Sequence, residues 1–181
     1  MKKFLAGFCA AAIAAGCMGM TVMADTEATD KLTSYEATSD NVKLIGRTYR
    51  KGDTTILGYS ASGIEFKCTG TKAVFNVNGS VGEARIGVFV NGKLVKQGYI
   101  KNKKTNAVEV DLPEGESTVK LIKLSEAAQS VIAIDSFEVD GKPQPTEAAK
   151  HSIEFIGDSI TCGYGVDDPL GKSFSIYNEN A

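Results

Sequence analysis

The sequence predicts a mainly-β fold: an antiparallel sandwich of jelly-roll type, followed by a short C-terminal segment of different character. Three observations predict it. Short alternating apolar runs recur between residues 42 and 141, turn-forming pairs separate them, and no stretch before residue 140 carries a helical repeat. The crossover helices that a parallel sheet requires are missing from this span, which leaves antiparallel pairing.

Taken in order, residues 1–24 read as a secretory signal. Lys2 and Lys3 precede an apolar stretch from Phe4, and Val22, Met23 and Ala24 lead into the polar DTEATD. Two other readings stand beside it. Phe4 to Met23 is long enough to span about 30 Å of hydrocarbon, and Ala14-Ala15-Gly16 before Cys17 approximates a lipobox, which would anchor the chain to a membrane through a lipidated Cys17. Cleavage after Ala24 would make the protein secreted, with no stable membrane association. Residues 25–41 are rich in Thr, Ser, Asp and Glu and read as a flexible leader.

The sandwich is expected over residues 42–141, in about nine short strands. VKLIGRTY, TTILGYS, GIEFKC and AVFNVNG follow one another, with Ile64, Phe66 and Cys68 on one face and Ala73, Phe75 and Val77 on another. ARIGVFVNGKLV is a hairpin whose Asn91-Gly92 turn demands positive φ. NAVEVDL and STVKLIKL flank the turn at Pro113 to Glu116, and SVIAIDSFEVDG closes at Asp140-Gly141. Residues 142–150, with Pro143 and Pro145, read as a stiff linker. Residues 151–181 open with an apolar strand feeding a Gly-rich turn, which marks a second domain.

Composition narrows the function classes. The 181 residues are 43% hydrophobic and 23% charged, as in globular chains with a buried core. The formal net charge of −2 and the lack of any long run of one sign exclude the electrostatic footprint of a nucleic-acid binder. Beyond the leader only Cys68 and Cys162 remain, too few for a disulfide framework and spaced for no zinc site, so no metal or other cofactor is expected. Two buried thiols, or one bridge between them, are both open.

The chemistry sits in Gly157-Asp158-Ser159. A Ser hydroxyl is a weak nucleophile at neutral pH. It needs a neighbouring base and a sharp turn that exposes its oxygen while backbone N–H groups face the developing oxyanion. Gly157, Gly163 and Gly165 suit such a turn, and Asp158 suits local hydrogen bonding to the backbone. The plainer role for Asp158-Ser159 is to cap a helix after the strand.

The string FIGDSIT resembles the first sequence block of the GDSL or SGNH hydrolases. With GDSITCGYG, and with GRTY, GYSASGIEFKCTGT and IAIDSFEVDG upstream, the chain resembles carbohydrate esterase family two, whose members include acetyl xylan esterases. The resemblance implies a β-sandwich followed by the first strand and nucleophile turn of an incomplete α/β SGNH hydrolase domain. It further implies a serine carboxylic-ester hydrolase acting on acetylated plant polysaccharide. Ser159 would be the nucleophile, Gly157, Asp158 and Gly163 would support the turn, and the Ser159 backbone N–H would serve the oxyanion hole. The family's catalytic His and the Gly and Asn of its middle blocks have no counterpart in these residues.

The one His, His151, lies eight residues before Ser159. On an extended strand that spacing is about 26 Å, far beyond the reach of a general base. No motif supports Lys172, Asp167, Asp168 or Glu179 in that role. Residues 151–181 supply one strand and at most one helix, too little for a doubly wound sheet, so this chain alone is expected to be inactive. The rival reading is a non-catalytic carbohydrate-binding or structural module. The Tyr residues at 35, 49, 59, 99, 164 and 177 form no evident row along the sequence, Trp is absent, and Asn78-Gly79-Ser80 is both a formal sequon and a strand end.

Overall fold

A computed structural model describes residues 31–151, 153–163 and 166. Its strands are β1 (Thr33–Tyr35), β2 (Lys43–Ile45), β3 (Thr48–Lys51), β4 (Thr54–Leu57), β5 (Gly63–Thr69), β6 (Lys72–Val81), β7 (Ala84–Val90), β8 (Lys93–Ile100), β9 (Thr105–Asp111), β10 (Glu116–Lys123), β11 (Val131–Val139) and β12 (Gln144–Pro145). The expected antiparallel sandwich is observed, without helices among the described residues. One sheet runs β3-β4-β11-β6-β9, with β1 also on β11; the other runs β12-β5-β10-β7-β8, with β2 also on β5.

Alternation decides which side chains meet between the sheets. Ile64, Phe66 and Cys68 of β5 and Ala73, Phe75 and Val77 of β6 are buried as the sequence predicts, together with Val119 and Leu121 of β10 and Val88 of β7. Phe66 stacks on Phe137 with ring centroids 4.7 Å apart and lies 6.1 Å from Phe75, which ties β5, β6 and β11 together. Asn91 (φ 51°) and Gly92 (φ 78°) form the predicted two-residue turn, and the Asn91 side chain accepts from the Thr118 N–H at 2.9 Å.

Two strands depart from simple alternation. In β11 the inward set is Ile132 and Ile134 and then Phe137 and Val139, a change of parity that requires one extra residue. The register shift between Ile134 and Ser136 supplies it, so that Asp135 and Ser136 together face Asn76 of β6. In β10 the inward row of Val119 and Leu121 extends to Lys123, which is buried for that reason. Its Nζ donates to the carbonyls of Ser125 and Glu126, the latter at 3.1 Å.

The structure corrects several expected boundaries. Residues 25–41 include β1, where Thr33–Tyr35 pairs with Phe137–Val139, and the buried Ala37, whose carbonyl accepts from Thr55 Oγ1 at 2.8 Å. Tyr35 stacks on Phe137 at 5.8 Å, so this end of the leader is part of the sandwich. VKLIGRTY divides into β2 and β3 at Gly46, whose φ of 66° breaks extended backbone. Residues 142–150 contain β12, in which Gln144 and Pro145 pair with Lys67 and Phe66. The strand expected over residues 151–157 is absent among the described residues, because a strand without a neighbour has no partner for its N–H and C=O groups. Residues 1–24, with the signal peptide and Cys17, lie outside the described residues.

Candidate functional site

The Ser159 segment is a single braced turn on the surface. Asp158 Oδ1 accepts from the N–H groups of Ile160 (3.0 Å) and Thr161 (3.4 Å), while the Asp158 carbonyl accepts from Cys162 N–H at 3.2 Å. This is the geometry of an N-cap on one turn of helix, so the local hydrogen bonding expected of Asp158 is observed. Gly163 adopts a φ of 74° and donates to Ile160 O at 3.1 Å, which ends the turn. Gly157 lies against Thr161, and any Cβ at position 157 would overlap that side chain. Sequence reading passed over Thr161, although its place four residues after Gly157 hints that one turn brings the two together.

Ser159 is exposed at the start of this turn, and neither its hydroxyl nor its N–H has a partner among the described residues. Cys162 Sγ donates to the Ser159 carbonyl at 3.2 Å and is a free, exposed thiol. Cys68 is free and buried, so the bridge between the two does not form, and only Cys68 meets the expectation of burial. Burial pushes the Cys68 thiol up to about 11, with the Asp140 charge adding to the rise. His151 is exposed and makes no hydrogen bond with Ser159. Gly165, Lys172, Asp167, Asp168 and Glu179 lie outside the described residues. Ile153, Phe155, Ile156 and Ile160 around the turn are all more than four-fifths exposed, so nothing described packs on this segment. No cluster of metal-ligating side chains occurs among the described residues.

Within the sandwich, the ends of β6 and β11 are held by other polar groups. Asp140, just past β11, accepts from the Thr71 hydroxyl (2.6 Å) and from the backbone N–H groups of Thr71 and Lys72, pinning the start of β6. Slight burial acts against its charge, but these donors outweigh it and hold the carboxyl below its ordinary value.

The comparisons with known proteins follow this architecture. Residues 44–148 match the family model described as carbohydrate esterase 2 N-terminal, a span that takes in β12 and most of the expected linker. The cellulase/esterase CelE of Acetivibrio thermocellus is 34% identical over 131 residues, covering 68% of this chain and 16% of that protein. A family two carbohydrate esterase from Clostridium thermocellum, solved in complex with cellohexaose, superposes with a TM-score of 0.64 at 29% identity, over 77% of this chain and 44% of that one. An acetyl xylan esterase from the rumen bacterium Butyrivibrio proteoclasticus shares the fold, with a TM-score of 0.71 at 21% identity over 83% of this chain and 43% of its own. The chain thus spans about one sixth of the curated relative and under half of each solved esterase. Both sheets fall almost wholly inside the matched span, and on that ground the chain belongs to the carbohydrate esterase 2 N-terminal family.

Proposed function

We propose that these residues are the N-terminal sandwich and nucleophile turn of a secreted serine carbohydrate esterase of SGNH type, which removes acetyl groups from plant polysaccharide. The observation that carries this reading is the braced turn at Gly157-Asp158-Ser159 directly after a sandwich of the esterase family. Ser159 Oγ would attack the acetyl carbonyl, with the Ser159 N–H facing the oxyanion and a His from outside these residues taking the proton. Asp158 would hold the turn open for that attack. The cellohexaose complex of the Clostridium thermocellum relative supports a carbohydrate as the ligand class.

These 181 residues alone do not hydrolyse acetyl esters on this reading, because no base lies within hydrogen-bond reach of Ser159 among the described residues and the one His lies eight residues before it. The test has two arms. Purified chain incubated with acetylated xylan should release no acetate above the buffer rate; release that Ser159→Ala abolishes would overturn the inactivity. Reading the coding frame beyond Ala181 and expressing any continuation should give acetyl esterase activity, which Ser159→Ala lowers by about 10⁴-fold to 10⁶-fold in kcat. Activity that survives the substitution would remove Ser159 from the nucleophile role.

A further inference from the structure

The outward faces of the two sheets treat charge differently. On the β5 and β10 side the carboxylates are neutralised: Glu65 is shared by Lys43 and Lys120 at 3.7 Å each, and Glu116 pairs with Lys67 at 3.4 Å. On the other sheet, Asp135 and Glu138 of the central strand β11 have no cationic partner within 4 Å among the described residues. They are held by neutral groups instead. Thr54 Oγ1 donates to Asp135 at 3.4 Å, and Asn76 Nδ2 donates to Glu138 at 2.8 Å and to Ser136 Oγ at 3.0 Å. The face's Lys72–Glu109 pair lies toward one end.

Register places a continuous row beside these groups. Tyr49 pairs with Ile56, Ile56 with Ala133, Ala133 with Asn78 and Asn78 with Thr105, so one line crosses all five strands of the sheet path. Four strand spacings make it roughly 19 Å long. Tyr49 is 65% exposed at one end, Ile56 and Ala133 form a low apolar floor, and the partly buried Asn78 amide has no hydrogen-bond partner among the described residues. The bulge at Asp135 and Ser136 turns two successive polar side chains outward beside this row.

From this arrangement we infer that the outward face of the β3-β4-β11-β6-β9 sheet binds an uncharged polysaccharide chain laid across the strands. The site comprises Tyr49, Ile56, Asn76, Asn78, Asp135 and Glu138. Sugar rings offer apolar C–H faces to Tyr49 and Ile56 and hydroxyl donors to the carboxylates and amides. A polyanion is repelled by the two unneutralised carboxylates, and an apolar protein surface would strand them without a cation, at a cost of several kcal/mol per ion. A hydroxyl-rich neutral ligand satisfies both groups while leaving them partly solvated. The inference rests on the carbohydrate reading above but not on Ser159.

The test is an amide chemical-shift titration of the full chain with xylohexaose and, separately, cellohexaose. Saturable shifts are expected at residues 49, 56, 76, 78, 133 and 135, with half-saturation below about 10 mM for one of the sugars. Tyr49→Ala and Asn78→Ala should each weaken binding about fivefold or more without moving the unfolding midpoint, and Lys67→Ala on the opposite sheet should leave it unchanged. Absence of saturable shifts overturns the site, as does a shift pattern confined to the Ser159 turn or a face whose signals move on dilution without sugar. Acetate release by the Ser159-bearing enzyme is read separately, so failure of either proposal is recognised without the other.

Discussion

Lys123 occupies a position that alternation assigns to the core, and its chemistry shows in the pH dependence of stability. Burial lowers its ammonium from 10.5 to about 8, against the opposing pull of Glu126. Below pH 8 both folded and unfolded chains carry the charge, and the folded state bears the cost of burying it. Between pH 8 and the unfolded value the unfolded chain binds the extra proton, so stability rises with pH, by at most about 1.4 kcal/mol per pH unit. Cys68 has the opposite sign. Its thiol stays protonated in the fold up to about 11 while the unfolded thiol ionises near 9, so stability falls across that window and offsets Lys123 above pH 9. Urea unfolding of the native chain should therefore show stability climbing from pH 8 to pH 9 and flattening above. In Lys123→Met the climb should vanish, and an equal climb in that variant would assign it to another group. The residue was legible only in part: the sequence STVKLIKL shows the alternating row, but a Lys at its end reads as the solvated end of a strand until the following loop folds its carbonyls over it.

Elements with strong periodicity or turn chemistry were readable from the order of residues alone. GIEFKC and AVFNVNG alternate cleanly, and Asn91-Gly92 permits one hairpin type. β1 offered neither signal, because Thr33–Tyr35 is three residues long and two of them are exposed. Its place follows from tertiary pairing with the end of β11, which the bulge at Asp135 has already shifted in parity. A chain shortened to begin at Val42 would lose the Tyr35–Phe137 stack, the three-residue pairing and the acceptor of the fully buried Thr55 hydroxyl. An unsatisfied buried hydroxyl alone costs about 1–3 kcal/mol. Denaturant titration should show this shortened chain less stable by about 2 kcal/mol or more, and a change within about 0.5 kcal/mol would show that β1 contributes nothing to the sandwich.

At the scale of the whole molecule, the sandwich closes its core between two sheets before the Ser159 turn is reached. The family match and β12 both carry the sandwich past Gly141, where the turn signal had placed its end. The candidate nucleophile was legible because Gly-Asp-Ser is a local pattern. The outward row of Asn76, Asn78 and Asp135 was not, because it draws on strands far apart in sequence and on a bulge visible only in register. The same separation predicts how the molecule unfolds. The buried cluster draws on residues from Ala37 to Val139, whereas Ile153, Phe155, Ile156 and Ile160 remain exposed. Ending the chain at Lys150 removes those four side chains while keeping β12, so it should leave the unfolding free energy unchanged to within about 0.5 kcal/mol. The full chain, with its contiguous exposed apolar residues, should bind more of a hydrophobic dye and self-associate more readily than the shortened one. A marked loss of stability on removing residues 151–181 would mean that the segment packs on the sandwich in solution, and the turn bearing Ser159 would then be part of its core.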